Sequence, residues 1–289
     1  MRREQRLWAG VCLLFLLSAC APAPIPAGSL PAAETPAVST PEPTPDPYSN
    51  DFAQVDVSQL GRGLVRARYT GGGEGRVKVQ IAKDTEYNYD LADDGSWESF
   101  TLTEGNGEYT LRVLENLAEN RYKPVFDCSL TLELDDPAAP FRESCQFVHF
   151  EESSQAVKRA EELCAGREGN GEKIQAVFDY VIEALSYDTD KSAAVEPGYR
   201  PDVDQVLSEG KGICFDYAAL MAAMLRSQGV ACKLAVGYVG KVYHAWVEAD
   251  MGEGEWRLMD PTFVSANRED QTVVDFVNDP ENYKVRYYY

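Results

Sequence analysis

Three residues of this 289-residue chain carry the types and order needed for nucleophilic chemistry: Cys214, His244 and Asp260. They stand in the phrases GKGICFDYAALMAAMLRSQG, YHAWVEAD and WRLMDPTF. A thiol, an imidazole and a carboxylate can form a relay in which the ring takes the thiol proton and the acid orients the ring. The chain has only 2 histidines, so the candidate base is nearly fixed by elimination. Taken singly, each residue has an ordinary reading: a packed thiol, a structural histidine, an Asp-Pro turn. Their joint order and setting carry the argument.

The elements that must position them can be read from local pattern. Ile213 to Gln228 reads as a helix, punctuated by Gly212 before and Gly229 after. Cys214 then lies in the first turn, where free N–H groups and the helix dipole favour a thiolate and can meet an oxyanion. Ala218, Met221 and Leu225 follow it at helical spacing, turning that face inward. Asp216 and Tyr217 read as structural, one a helix-start charge and the other packing. YHAWVEAD alternates, placing His244, Trp246 and Glu248 on one face. EWRLMD does the same for Trp256, Leu258 and Asp260, and Gly252 and Gly254 suit a hairpin that pairs the two strands. Pro261 ends the second strand and leaves Asp260 at the sheet margin. Trp246 and Trp256 read as core and pocket wall.

These three ordered phrases resemble the transglutaminase-like fold, a circularly rearranged relative of papain-type cysteine peptidases. The resemblance covers roughly the second half of the chain. It implies that Cys214 is the nucleophile, His244 the base and Asp260 the orienting acid, with an acyl-thioester intermediate on peptide or carboxamide substrates. Both hydrolysis and crosslinking occur in such enzymes, and hydrolysis is slightly favoured here. Tyr238, Tyr243 and Trp246 could wall an acceptor channel or simply fill the core. A second oxyanion donor is not assigned, since Gln205 stands nine residues before the cysteine. The alternative is a non-catalytic cell-surface binding or assembly module on the same fold.

Other chemistries are disfavoured. His149, in QFVHF, lies far ahead of the cysteine with no carboxylate phrase nearby and reads as a packed or surface residue. The cysteines are scattered and neither histidine has a neighbouring ligand, so no zinc site is expected. DLADDG and DTDKSAAV lack the calcium-loop pattern, and no cofactor is expected. A formal charge of −20 argues against nucleic acid and against electrostatic binding to anionic lipid. Cys128, Cys145, Cys164 and Cys232 could form disulfides in an exported protein, but no pairing is chosen.

Residues 1–19 read as a targeting segment: Arg2, Arg3 and Arg6, then a short apolar run from Leu7 to Leu17. Leu17-Ser18-Ala19-Cys20 resembles the bacterial lipobox, which implies a lipidated Cys20 and a body on the outer face of the cytoplasmic membrane. Its partners would be that membrane, through the lipid anchor, and a peptide or protein substrate, with cell-envelope polymers among the candidates. Residues 20–50 read as a tether, because Ala21 to Asn50 holds nine prolines and cannot build a core. Fully extended, it would reach roughly 90 Å at ~3.1 Å per residue.

Residues 51–137 read as an immunoglobulin- or fibronectin-like β-sandwich. The expected strands are LVRARY, RVKVQI, TEYNYDL, WESFTL, GEYTLRVLE and PVFDCSLTLEL, with ENLAENRY as a turn. Its default role is that of a spacer. Residues 146–289 read as the catalytic domain, with helices at 153–165 and 171–186, a polar loop DTDKSAAVEPGYRP and a short helix DVDQVLSEG before the nucleophile helix. Antiparallel strands then follow, closing with KVRYYY. Helices first and strands after give an α+β fold class.

Overall fold

Alternation of apolar and polar residues sets the N-terminal region of the computed structural model, which describes residues 48–73, 75–252, 254–266 and 279–289. The leader and the tether up to residue 47 lie outside the described residues, and so does Cys20. The strands are β1 (Ala53–Asp56), β2 (Leu64–Tyr69), β3 (Val77–Ala82), β4 (Glu86–Leu91), β5 (Glu98–Thr101), β6 (Gly107–Ala118) and β7 (Arg121–Leu132). They form a three-stranded sheet, β1-β2-β5, and a four-stranded sheet, β4-β3-β6-β7, with every neighbouring pair antiparallel. Val77, Val79 and Ile81 of β3 and Tyr87, Tyr89 and Leu91 of β4 point into one buried cluster with Tyr69, Phe100 and Leu111. Lys78, Gln80, Asn88 and Asp90 alternate with them and face outward, as a period of two requires.

Two local readings need correction. Strand β1 has no counterpart in the expected list, because AQVD is too short to show its period. ENLAENRY is mostly strand: β6 runs to Ala118 and β7 starts at Arg121. The turn is only Glu119-Asn120, with Glu119 at φ 52. Pro124 is tolerated in β7 because β7 is an edge strand with a register shift there.

The C-terminal region follows as α1 (Gln155–Cys164), α2 (Asn170–Ala184), β8 (Ser186–Tyr187), α3 (Thr189–Ala194) and α4 (Val203–Glu209). Next come β9 (Lys211–Gly212), α5 (Cys214–Ser227), β10 (Cys232–Val239), β11 (Val242–Asp250) and β12 (Trp256–Met259). α6 (Pro261–Ala266) and β13 (Tyr283–Tyr288) complete it. The antiparallel sheet β12-β11-β10-β13 packs one face, through Leu234, Val236, Ala245 and Val247, on α1, α2 and α5. Its other face carries Ala235, Val239, Trp246 and Tyr283, covered by Phe263 and Val264. Helix α5 is buried from Asp216 to Arg226, more completely than a one-faced helix would be. The result is a mixed α/β architecture.

The expected loop DTDKSAAVEPGYRP contains α3, a helix of 6 residues started by Asp188, whose side chain accepts from the Lys191 N–H. All described residues fall in one compact unit, 45–289. Tyr287 and Tyr289 pack against the buried clusters of both regions, and the Tyr289 ring lies 4.8 Å from Phe147 and 5.8 Å from Tyr87. Among the described residues no helix is long and apolar enough to cross a membrane.

Candidate active site

Cys214 is the first residue of α5, with Ile213 as its extended N-cap. The start is held by Asp216, two residues on, whose buried carboxylate accepts the Ile213 N–H at 2.8 Å. Gly212 must be glycine, because a Cβ there would meet the Asp216 Cβ at 2.6 Å. Parallel pairing of β8 with β9 sets Tyr187 beside Gly212, at the mouth of the same turn. The helix therefore presents its first N–H groups and a partly exposed thiol to one end of the fold.

His244 pairs with Gly237 across β10 and β11, where β10 also meets β13 so closely that Gly237 has no room for a Cβ against Lys284. Its ring is 5% exposed, packed 4.7 Å from Phe263 and stacked 6.4 Å from Trp246. Nε2 meets Asp260 Oδ2 at 2.8 Å, and the ring also interacts with the nearby Cys214 thiol. With Nε2 engaged by the acid, Nδ1 is the nitrogen left for the sulfur. Burial alone would lower the histidine's pKa. The hydrogen bonds to Asp260 and Cys214, together with their charge, outweigh that and hold it at about 9. The carboxylate and the thiol thus favour the charged imidazolium over the neutral ring.

Asp260 is 2% exposed and does more than end a strand. Its Oδ1 accepts the Phe263 N–H at 3.1 Å, capping α6, while Pro261 occupies the first helical position where a missing N–H costs nothing. Oδ2 receives both His244 and the Tyr283 hydroxyl, the latter at 2.9 Å. Burial and the facing carboxylate push the Tyr283 phenol upward, so it stays a donor. Tyr283 was not singled out by sequence reading, because it reaches the site only through the β10–β13 pairing.

The structure thus brings Cys214, His244 and Asp260 together. The other residues weighed from sequence fall elsewhere. His149 is exposed, 3.8 Å from Glu151. Gln205 is exposed on α4 and bonds Glu209. Trp246 is fully buried behind the imidazole, whereas Trp256 sits against Phe141 and under Lys233, away from the site. Cys128, Cys145, Cys164 and Cys232 are free thiols, so no disulfide links them. Among the described residues no group of histidine, cysteine and carboxylate side chains is arranged to hold a metal ion.

A cleft of about 650 Å³ opens over the thiol, lined by Cys214, His244, Tyr187, Val195, Phe215 and Tyr243 on the near side. Its wall includes the strap 195–200, fixed from beneath. Tyr199 donates to Asp216 Oδ1, and Lys191 reaches both Asp216 Oδ2 at 2.7 Å and the Tyr199 hydroxyl at 2.6 Å. Asp216 thus ties the strap to the turn that carries Cys214. Asp216→Ala should destabilise the protein by about 3 kcal/mol, because Lys191, Tyr199 and the Ile213 N–H all lose their acceptor. Urea unfolding checks this, and an unchanged midpoint would show that the buried carboxylate is not an anchor.

Residues 157–261 match the family model described as the Transglutaminase-like superfamily, a span that contains all three site residues. The chain carries a transglutaminase-like domain. Over 111 residues it is 30% identical to the uncharacterised protein YebA of Bacillus subtilis (strain 168), covering 32% of this chain and 15% of that relative. The chain therefore spans a small part of that relative's length. Among solved structures it is similar to a candidate cysteine protease from Cytophaga hutchinsonii, at 18% identity and TM-score 0.39, over 66% of this chain and 67% of that one. A structure described as a TGase gives 17% identity and TM-score 0.32, over 45% of this chain and 35% of that one. Within the transglutaminase-like domain Cys214, His244 and Asp260 are contributed by the start of α5, by β11 and by the residue before α6.

Proposed function

We propose that the chain is an extracytoplasmic cysteine acyl-transfer enzyme acting on peptide or carboxamide bonds. The observation that carries this reading is the His244 ring, hydrogen-bonded to a buried carboxylate and sharing one cleft with a partly exposed thiol at a helix start, whose charge acts on it. With the thiol proton held on His244, the sulfur attacks the carbonyl carbon. Charge builds on the carbonyl oxygen, where the Cys214 N–H at the helix start can meet it. The C–N bond breaks, the leaving amine takes the proton from His244, and an acyl thioester remains. Water then gives a carboxylic acid, or an amine gives a new amide.

Hydrolysis is favoured over crosslinking. Of the three aromatics offered by the sequence as channel walls, Trp246 is buried in the core, Tyr238 does not line the cleft, and Tyr243 lines it half exposed, alongside Tyr187 and Phe215. The test is incubation with a mixed library of peptides and glutamine amides, with hydroxylamine as a trap. A thioester yields hydroxamates, and Cys214→Ala should yield none. Equal product from wild type and Cys214→Ala would overturn the reading.

Residues 51–137 are read as the immunoglobulin- or fibronectin-like sandwich, a reading supported by three plus four antiparallel strands about one core. Tethering is proposed through a lipidated Cys20, which would hold the body on the outer face of a bacterial membrane. Two or more acyl chains hold firmly where one binds only marginally. Cys20→Ser should therefore lose label from a fatty-acid probe and be released or left unprocessed. Equal label in both proteins would count against the anchor.

A further inference from the structure

The cleft over Cys214 is not built by the transglutaminase-like domain alone. Lys78, Asn88 and Asp90, outward-facing on β3 and β4, line its far side. A second cavity of about 680 Å³ shares Lys78 and Asn88 with it and continues over the same sheet face past Gln80, Arg112 and Tyr122. The two together make one path from the thiol across the four-stranded sheet.

That path is held in register with the nucleophile. Arg200 of the strap donates to Glu98 Oε2 at 2.8 Å and to the Asp90 carbonyl. Gly198, at φ +89, which disfavours any other residue, lies directly against the Asp90 carboxylate. The neighbouring Tyr199 is bonded to Asp216 on the nucleophile helix. A single strap therefore fixes the sheet face and the thiol relative to each other, so one ligand can span both.

The chemistry changes along the path. Beside the thiol stand the exposed apolar side chains of Tyr187, Val195 and Tyr243. Farther on come the amides of Gln80 and Asn88 and the buried Tyr122 hydroxyl, which has no hydrogen-bond partner. Although the chain carries −20 overall, this outer stretch is lined by two cations and no carboxylate. Lys78 is neutralised by Asp90 at 2.8 Å. Arg112 donates to Gln80 at 3.0 Å, and among the described residues no carboxylate pairs with it, not even Asp127 opposite it on β7. Arg112 is thus a cation with no paired carboxylate, able to take up an anionic group.

We propose that the N-terminal β region binds substrate: an extended peptide places an apolar side chain beside the attacked carbonyl, crosses the outer face of β4, β3 and β6, and sets a carboxylate against Arg112. This rests on the cysteine-enzyme reading above. A spacer role does not account for sheet residues lining the thiol's cleft. Nucleic acid is disfavoured by the net charge, and the amide and carboxylate-binding groups fit a peptide.

Three kinds of thiol reagent test it on the full chain: iodoacetamide, a single-residue acyloxymethyl ketone, and pools of long peptidyl acyloxymethyl ketones with Asp or Asn at the end distant from the electrophile. Modification of Cys214 is followed by mass spectrometry. The long acidic pool should react about tenfold faster than the single-residue reagent, the scale of one charge-assisted hydrogen bond. Arg112→Ala should bring the Asp and Asn pools to the same rate. Asn88→Arg, at an exposed position in mid-path, should slow the long reagents selectively, with the iodoacetamide rate reporting the thiol in each variant. Equal rates for long and short reagents, or an acidic preference that survives Arg112→Ala, would overturn the proposal. So would protection of Cys214 by a cell-envelope glycan fragment where long peptides give none. A thiol inert even to iodoacetamide would instead sink the enzyme reading, and this inference with it.

Discussion

In the folded protein at neutral pH, Cys214 is expected to alkylate at least about a hundredfold faster than Cys128, Cys145, Cys164 or Cys232. Cys214 is partly exposed and adjoins an imidazole whose charged form is favoured, whereas the other four thiols are buried. Burial pushes the Cys232 thiol up to about 12 and the Cys128 thiol up to about 11, leaving almost no thiolate on either at pH 7. His244→Ala removes the proton acceptor and the adjacent positive charge, and should erase most of Cys214's advantage. Site-resolved mass spectrometry after a short pulse of reagent reads both effects. Slow and equal modification of all five cysteines would favour a non-catalytic binding module.

The second large effect is expected at Asp260. Asp260→Asn should lower turnover by about 10²-fold or more, since the carboxylate fixes the ring's tautomer and balances its charge. The variant also weakens the cap on α6, so some loss of stability accompanies it. Tyr283→Phe separates the two roles. It removes one donor to Oδ2 but leaves the carboxylate, its charge and the Phe263 cap in place. Turnover should then fall by less than about tenfold, the scale of a single hydrogen bond. If Asp260→Asn kept near wild-type turnover while folded, the acid would be only a helix cap.

Much of the site can be read locally because its parts are local. Gly212 and Gly229 bracket the nucleophile helix, and α5 starts and stops within one residue of the reading from Ile213 to Gln228. The hairpin between β11 and β12 follows from Gly252 and Gly254, and it brings Asp260 back to His244. The cap function of Asp260 was present as Asp-Pro, a pair that fits a helix start as well as a strand end. Tyr283 and the Asp216 anchor depend on partners far along the chain, through β13 and through a strap that resembles a polar loop. Lys78, Asn88 and Arg112 look like an ordinary solvated strand face, since alternation tells which way they point but not what stands opposite.

Thiol, imidazole and carboxylate are proposed to act as one coupled unit. The chain's two histidines make this directly measurable by nitrogen-15 NMR titration of the imidazoles, His149 being exposed and His244 buried. In the wild type, His244 should stay protonated through pH 7 and lose its proton only as pH rises through about 9. In Cys214→Ala one of the two partners that raise it is gone while burial still opposes charge, so the midpoint should fall. In Asp260→Asn it should fall as well. A His244 that titrates near 6.5 in the wild type, or whose midpoint ignores the loss of Cys214, would contradict the relay.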